Sequence, residues 1–285
     1  MKTYLDCIPC LLRQIVEASS FFTRDEHLRI RIMKEVLSSL SQQDLSQSPP
    51  HITGSVYRLL RNRFSMDDPY RAIKDRFNRL TLSMLGPLRE TVLNSQDPLL
   101  QAVKLAIAGN SIDCGAKTGL DEHEIRVEIE SSSAKPLEGD VSLFRRAVEQ
   151  ARKILYIADN AGELTLDRLL IEQIGPDRVT VAVRGAPVIN DATMEDARQT
   201  GLHELVRIID NGTDAPGTII EECSNEFRQT LAGSDLIIAK GQGNYETLCD
   251  EELNIIFLLK VKCPIIADHT GFPVGSHAVI QGPVR

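Results

Sequence analysis

The chain has 285 residues, enough for one large domain or two modest ones. Its apolar share of 42% and charged share of 25% are those of an ordinary globular protein, which excludes disorder, collagen-like sequence and repeat arrays, and no segment approaches the ~18 unbroken apolar residues of a membrane helix. A formal net charge of -8 repels phosphate backbones, and the absence of Trp leaves few stacking platforms, so neither nucleic acid nor membrane is expected as a partner.

The opening Met1-Lys2-Thr3-Tyr4-Leu5-Asp6 lacks a charged region leading into an apolar one, and a cytoplasmic protein is expected. Next comes Cys7-Ile8-Pro9-Cys10, whose spacing suits two metal bonds or a redox pair but equally two small apolar residues at a helix start. Six cysteines in a chain of this length do not form a disulfide framework.

From Leu11 to about Leu105 the apolar residues recur at helix spacing: Leu11, Leu12, Ile15 and Val16, then Leu28, Ile30, Ile32, Met33, Val36 and Leu40. Ser41 to Pro50 reads as a loop, and Asp67-Asp68-Pro69-Tyr70 as a capped helix start. Arginines crowd the stretch from Arg58 to Arg79 and read most simply as a solvated helix face. A further helix is predicted from Pro98 to Ala108, ending in Gly109-Asn110 with Asp113 close behind. That ending is either a plain helix stop with a left-handed residue, or a device that projects Asn110 and Asp113 from the helical part toward the ends of the strands that follow.

Near Lys153 the pattern changes to β-branched runs alternating with amphipathic stretches. Strands are predicted at Ile154–Ala158, Val179–Val183, Leu205–Ile209, Leu236–Ala239, Ile255–Leu259 and Pro264–Ala267, with helices around Leu164–Ile174, Ala192–Thr200 and Gly217–Leu231. The fold class is therefore α/β: a helical N-terminal domain over residues 1–150, packed on a mostly parallel α/β/α sheet domain over residues 151–285.

In such sheets ligands bind beyond the carboxyl ends of the strands. The first strand runs into Asp159-Asn160-Ala161-Gly162-Glu163, and the second into Arg184-Gly185-Ala186-Pro187-Val188-Ile189-Asn190-Asp191. Asp159, Asn160 and Asp191 either cap the following helices or share a hard cation through oxygen ligands. The fourth strand leads into Lys240-Gly241-Gln242-Gly243-Asn244, where glycines and a lysine at a helix entrance suit a phosphate group. Neither a P-loop nor a Rossmann glycine motif is present, so no nucleotide cofactor is indicated.

Taken together, these segments resemble the DUF89 family of metal-dependent, damage-control phosphatases, in its stand-alone microbial branch. The pieces are Tyr4 to Gln14, Asp68-Pro69-Tyr70 with Lys74, Gly109-Asn110 with Asp113, Asp159 to Glu163, Pro187 to Thr193 and Lys240 to Asn244. The resemblance implies one divalent cation (Mg, Mn, Co or Ni) held by Asp159, Asn160 and Asp191. It also implies phosphate handling by Lys240 and Asn110, with Arg184, Gly241 and Asn244 completing the substrate-binding set. The substrate it implies is a small phosphorylated metabolite such as a sugar phosphate. Cys114 departs from the bulky residue expected after Asp113.

The expected chemistry is in-line phosphoryl transfer to water, with Glu163 or Asp113 as base and Lys240 adding positive charge. Asp159 is the alternative, covalent nucleophile. Two rivals differ in class. A methyltransferase of carboxyl groups would bind S-adenosylmethionine on such a sheet, but Asp159-Asn160 stands where its glycine-rich loop belongs. A non-enzymatic anion-binding module would use the arginine-rich stretch.

Overall fold

The computed structural model describes residues 1–112 and 121–283. Five helices come first: α1 (Cys7–Phe22), α2 (Glu26–Leu40), α3 (Pro49–Phe64), α4 (Arg71–Leu93) and α5 (Pro98–Gly109). Their starts follow from local chemistry. Asp25 and Asp97 accept backbone N–H groups of His27 and Leu100, and prolines open α3 and α5, where a missing N–H costs nothing. Asp67-Asp68 departs from its expected capping role. Tyr70 holds the N-cap position of α4, while Asp68 accepts a hydrogen bond from the buried Lys74 at 3.3 Å, because a buried ammonium needs a carboxylate more than a helix end needs a cap.

From Glu122 onward the elements are α6 (Glu122–Ser131), β1 (Leu137–Gly139), α7 (Val141–Gln150), β2 (Ile154–Ile157), α8 (Leu164–Ile174), β3 (Val179–Val183), α9 (Met194–Gln199) and β4 (Arg207–Asp210). They continue with α10 (Asn225–Ala232), β5 (Leu236–Lys240), α11 (Gly241–Leu248), β6 (Ile255–Lys260), α12 (Pro264–Thr270) and β7 (His277–Gln281). The strands form one sheet in the order β1-β7-β6-β5-β2-β3-β4, parallel at every junction except β6 with β7. The fold is the α/β class expected.

Two expected elements are corrected. Pro264–Ala267 is the start of α12, not a strand: Pro264 sits in the first helical turn, with φ already suited to a helix and no N–H to give a ladder. The strand places beyond β6 are taken by β7 and β1 instead. Gly217–Leu231 is not one helix, because Ser224 accepts the Phe227 N–H and starts α10 afresh after a short 3-10 turn at Ile220–Glu222.

The core has two faces, as the two-residue period of a strand requires. Ile154 and Tyr156 of β2 point with Val181 and Ile238 into the apolar mass that includes Ile15, Val56 and Phe77 of the N-terminal helices. Leu155 and Ile157 point the other way with Ile237, toward Phe227, Leu231 and Leu248. From β2 the chain builds outward through β3 to β4, then crosses back to begin β5 on the other side of β2. The strand order thus reverses between β2 and β5, and a crevice opens beyond their carboxyl ends.

Candidate active site

Asp159 and Asn160 lie just past β2, and Asp191 in the loop after β3. Backbone pairing joins the two loops: the Ala192 N–H donates to the Asp159 carbonyl at 2.7 Å, the Ala161 N–H donates to the Asn190 carbonyl at 2.9 Å, and Asn160 and Asp191 form an isolated antiparallel bridge. None of the three side chains caps a helix. The N-cap position of α8 is Glu163, and α9 carries its own capping box from Thr193 and Asp196. The capping role is thus taken by other residues, and the loop pairing brings Asp159, Asn160 and Asp191 side by side.

The surroundings set the orientation of each group. Asp159 Oδ2 accepts from the side-chain amides of Asn110 at 2.7 Å and Asn160 at 2.8 Å. Asn160 directs its other amide contact to Glu163 Oε2 at 3.1 Å, which turns its carbonyl oxygen away from these acids. The buried guanidinium of Arg184 spans both aspartates, with Nε 2.6 Å from Asp191 Oδ2 and Nη2 3.9 Å from Asp159 Oδ1.

Lys240 has a different position from the one expected. Its side chain is 0% exposed, and Nζ donates to Glu163 Oε1 at 2.5 Å, Asp167 Oδ1 at 2.6 Å and the Ala106 carbonyl at 2.9 Å. Burial alone would lower its pKa, but the two carboxylates overcome this and raise it. Burial in turn lifts the Asp167 carboxyl to about 6 against the pull of Lys240. Tyr156 donates to the same Asp167 oxygen at 2.7 Å. This buried ion cluster sits beneath the loop that carries Asp159 and Asn160.

Two backbone features hold the acids in place. Gly241 has φ +80°, and a Cβ there would overlap the Asp159 carboxylate, so only glycine lets α11 begin this close to it. Ile189, two residues before Asp191, has φ +46°, a conformation costly for a β-branched side chain and one that tends to persist at functional loops. Asn244 ties the two strand ends together, donating to the carbonyls of Ala158 at 3.1 Å and Lys240 at 2.7 Å while accepting from Thr218.

Asp159, Asn160, Ile189 and Asp191 line one cavity of about 410 Å³. Its other walls come from α1 (Cys7, Cys10, Arg13), the start of α11 (Gln242, Gly243) and the approach to α12 (Lys262, Cys263). The three oxygen-bearing residues expected to share a cation are therefore together. Glu163, Lys240, Asn110, Arg184, Gly241 and Asn244 stand behind them and do not line the cavity. Asp113, with Cys114, lies outside the described residues.

Sequence reasoning passed over Asp167, which is buried in α8, and Asn78 of α4. Asn78 accepts the Gly162 N–H at 2.6 Å and donates to Asp196 at 3.0 Å, so a helix far along the chain fixes the Asp159 loop. A buried asparagine in an apolar helical face was the available signal. Much of the arginine-rich stretch is paired: Arg58 with Asp214 and Glu222, Arg61 with Asp214, Arg71 with Asp75 and Asp196, and Arg76 with Glu122. Arg58, Arg61 and Arg71 thereby join the helices to a loop and to α9 of the sheet layer, while Arg63, Arg76 and Arg79 are exposed. Among the described residues no helix is long and apolar enough to cross a membrane.

This fold is shared with proteins already known by sequence and by structure, and the comparisons give the class. The family model "Damage-control phosphatase ARMT1-like domain" matches residues 3–278, and the chain belongs to this family. The "Damage-control phosphatase" of Archaeoglobus fulgidus is 34% identical over 97% of this chain and 98% of its own length. "Damage-control phosphatase PH1575" of Pyrococcus horikoshii is 34% identical over 97% of this chain and 96% of its own. The crystal structure of that DUF89 family protein superposes with a TM-score of 0.89 at 31% identity, covering 99% of both chains. "Uncharacterized protein MJ0202" of Methanocaldococcus jannaschii is 36% identical over 99% of this chain and 96% of its own.

Proposed function

We propose that this protein is a divalent-cation-dependent phosphatase that hydrolyses phosphate monoesters of small metabolites, sugar phosphates or damaged phosphometabolites among them. One observation carries the reading: a backbone bridge places two carboxylates and a carboxamide side by side on the floor of a cavity at the sheet's reversal point. The donor set is all oxygen, the chemistry that Mg²⁺ and Mn²⁺ prefer. Asp159, Asn160 and Asp191 are the residues that would hold the ion, whose positive charge would offset the charge that builds on the phosphate oxygens in the transition state. The relatives named damage-control phosphatase support the same reaction class.

The other residues act by position. Asn110 holds the Asp159 carboxylate, Arg184 holds Asp191, and Glu163 accepts the Asn160 amide instead of reaching the cavity as a base. Lys240 holds the Glu163 and Asp167 carboxylates in place beneath the site and is itself used up by them. The first turn of α11, at Gln242 and Gly243, offers backbone N–H groups to the phosphate. Arg13 and Lys262 on the cavity wall suit an anionic group elsewhere on the substrate. A volume of about 410 Å³ lies within the ordinary range for small-molecule sites.

The test is phosphate release from a panel of sugar phosphates and nucleotides, with chelator and then with Mg²⁺, Mn²⁺, Co²⁺ or Ni²⁺ restored. Chelation is expected to abolish turnover, and Asp159→Ala or Asp191→Ala to lower kcat/KM by at least ~100-fold in a folded protein. Full activity in either variant, or turnover insensitive to chelation, would refute the assignment.

A further inference from the structure

A second cluster of metal-ligating side chains lies away from these acids. α11 and α12 both begin at the cavity wall, and their other ends meet. There the thiol of Cys249 and the carboxylate of Asp250, just past α11, and the imidazole of His269 in the last turn of α12 present ligand atoms all within 4.8 Å of one another.

The imidazole is held in place from α11. The Tyr245 hydroxyl lies 2.8 Å from His269 Nδ1, the two rings meet edge to face, and Tyr245 is itself packed edge-on against Phe257. Metal-binding histidines are commonly oriented by such a partner. Cys249 is only partly buried, while Asp250 and His269 are exposed, so an ion can enter from solvent. The Met1 ammonium already lies in this cluster, 2.9 Å from Asp250 Oδ2 and hydrogen-bonded to the Cys249 thiol as well, so an entering ion takes a place that a cation now fills.

The chemistry differs from that of the Asp159 site. One sulfur, one nitrogen and one oxygen donor are a poor match for Mg²⁺ and a good one for Zn²⁺, which takes three protein ligands and leaves a fourth position to water. We propose that Cys249, Asp250 and His269 form a second cation site, selective for zinc-like ions, that pins the end of α11 to the end of α12. Because α11 carries Gln242 and Gly243 at the cavity wall and α12 begins there at Pro264, filling this site stiffens one side of the pocket without touching the Asp159 group.

The experiment uses metal-free full-length protein in saturating Mg²⁺, titrated with Co²⁺ and followed by the thiolate-to-cobalt charge-transfer absorption in the near ultraviolet. One equivalent of Co²⁺ is expected to develop the band, and Zn²⁺ to remove it. Cys249→Ser is expected to abolish the band, and His269→Ala to weaken Co²⁺ binding at least ~10-fold. A Cys7→Ser/Cys10→Ser variant should keep the band, which locates it away from the α1 thiols. Thermal melts of the metal-free variants check that each is folded, and Zn²⁺ should raise the melting temperature of the parent protein but not of Cys249→Ser. No band in the parent, or an undiminished band in folded Cys249→Ser, overturns the proposal.

Discussion

Replacing Gly241 with alanine tests how the pocket holds its acids. Two costs are separable. The first is conformational: at φ +80° a non-glycine residue loses about 1–2 kcal/mol. The second is steric, since the new Cβ would occupy the space of the Asp159 carboxylate, which must then swing away from Asn110 and Asn160. A displacement of about 1 Å in a reacting geometry costs about 100-fold in rate. Gly271 supplies the control, because it has φ +77° and no atom within 4 Å of an added Cβ. Urea unfolding should show both alanine variants destabilised by about 1–2 kcal/mol or more. Phosphate release should show kcat/KM down about 100-fold in Gly241→Ala and near the parent value in Gly271→Ala. If Gly241→Ala turns over within a few-fold of Gly271→Ala, the contact between glycine and carboxylate does not organise the site.

Lys240→Met leaves Glu163 and Asp167 buried without their cation and should cost about 3–5 kcal/mol by urea unfolding; parent-like stability would show the cluster to be inessential. Asp167, raised in the folded protein to about 6, contributes stability that is fully present below its unfolded value of 3.8 and is lost as pH rises through about 6. Asp167→Asn removes that dependence, so its stability relative to the parent should improve between pH 4 and pH 7; a difference flat with pH would contradict the assigned burial. Asn78→Ala strips the Gly162 N–H of its acceptor and should cost about 1–3 kcal/mol together with a drop in kcat; an unchanged kcat would show that the Asp159 loop does not depend on α4.

Much of this was readable from local pattern. The helical N-terminal stretch, the strands from β2 to β6 and the polar residues just past them follow from residue periodicity, and periodicity is written into every short window of sequence. Pro264–Ala267 shows the limit: a short apolar run suits either state, and its first residue, proline, decided for helix. β1 and β7 were missed because they are short strands defined by pairing with a distant neighbour more than by their own pattern.

Asp159, Asn160 and Asp191 stand out in the sequence because each follows a predicted strand, whereas their convergence is not a local property. Whether Asp159 and Asp191 capped helices or shared a cavity depended on the pairing of two loops separated by α8 and β3. The fate of Lys240 depended on Asp167, one helix face away from any motif, and that of the Arg58–Arg79 cations on acids such as Asp214 and Glu222 far along the chain. Sequence by itself determined which groups this protein has and which element each one ends. Only the tertiary structure decided which of them face the cavity and which are used up as partners, because a buried charge is settled by whatever the fold brings within a few ångströms of it.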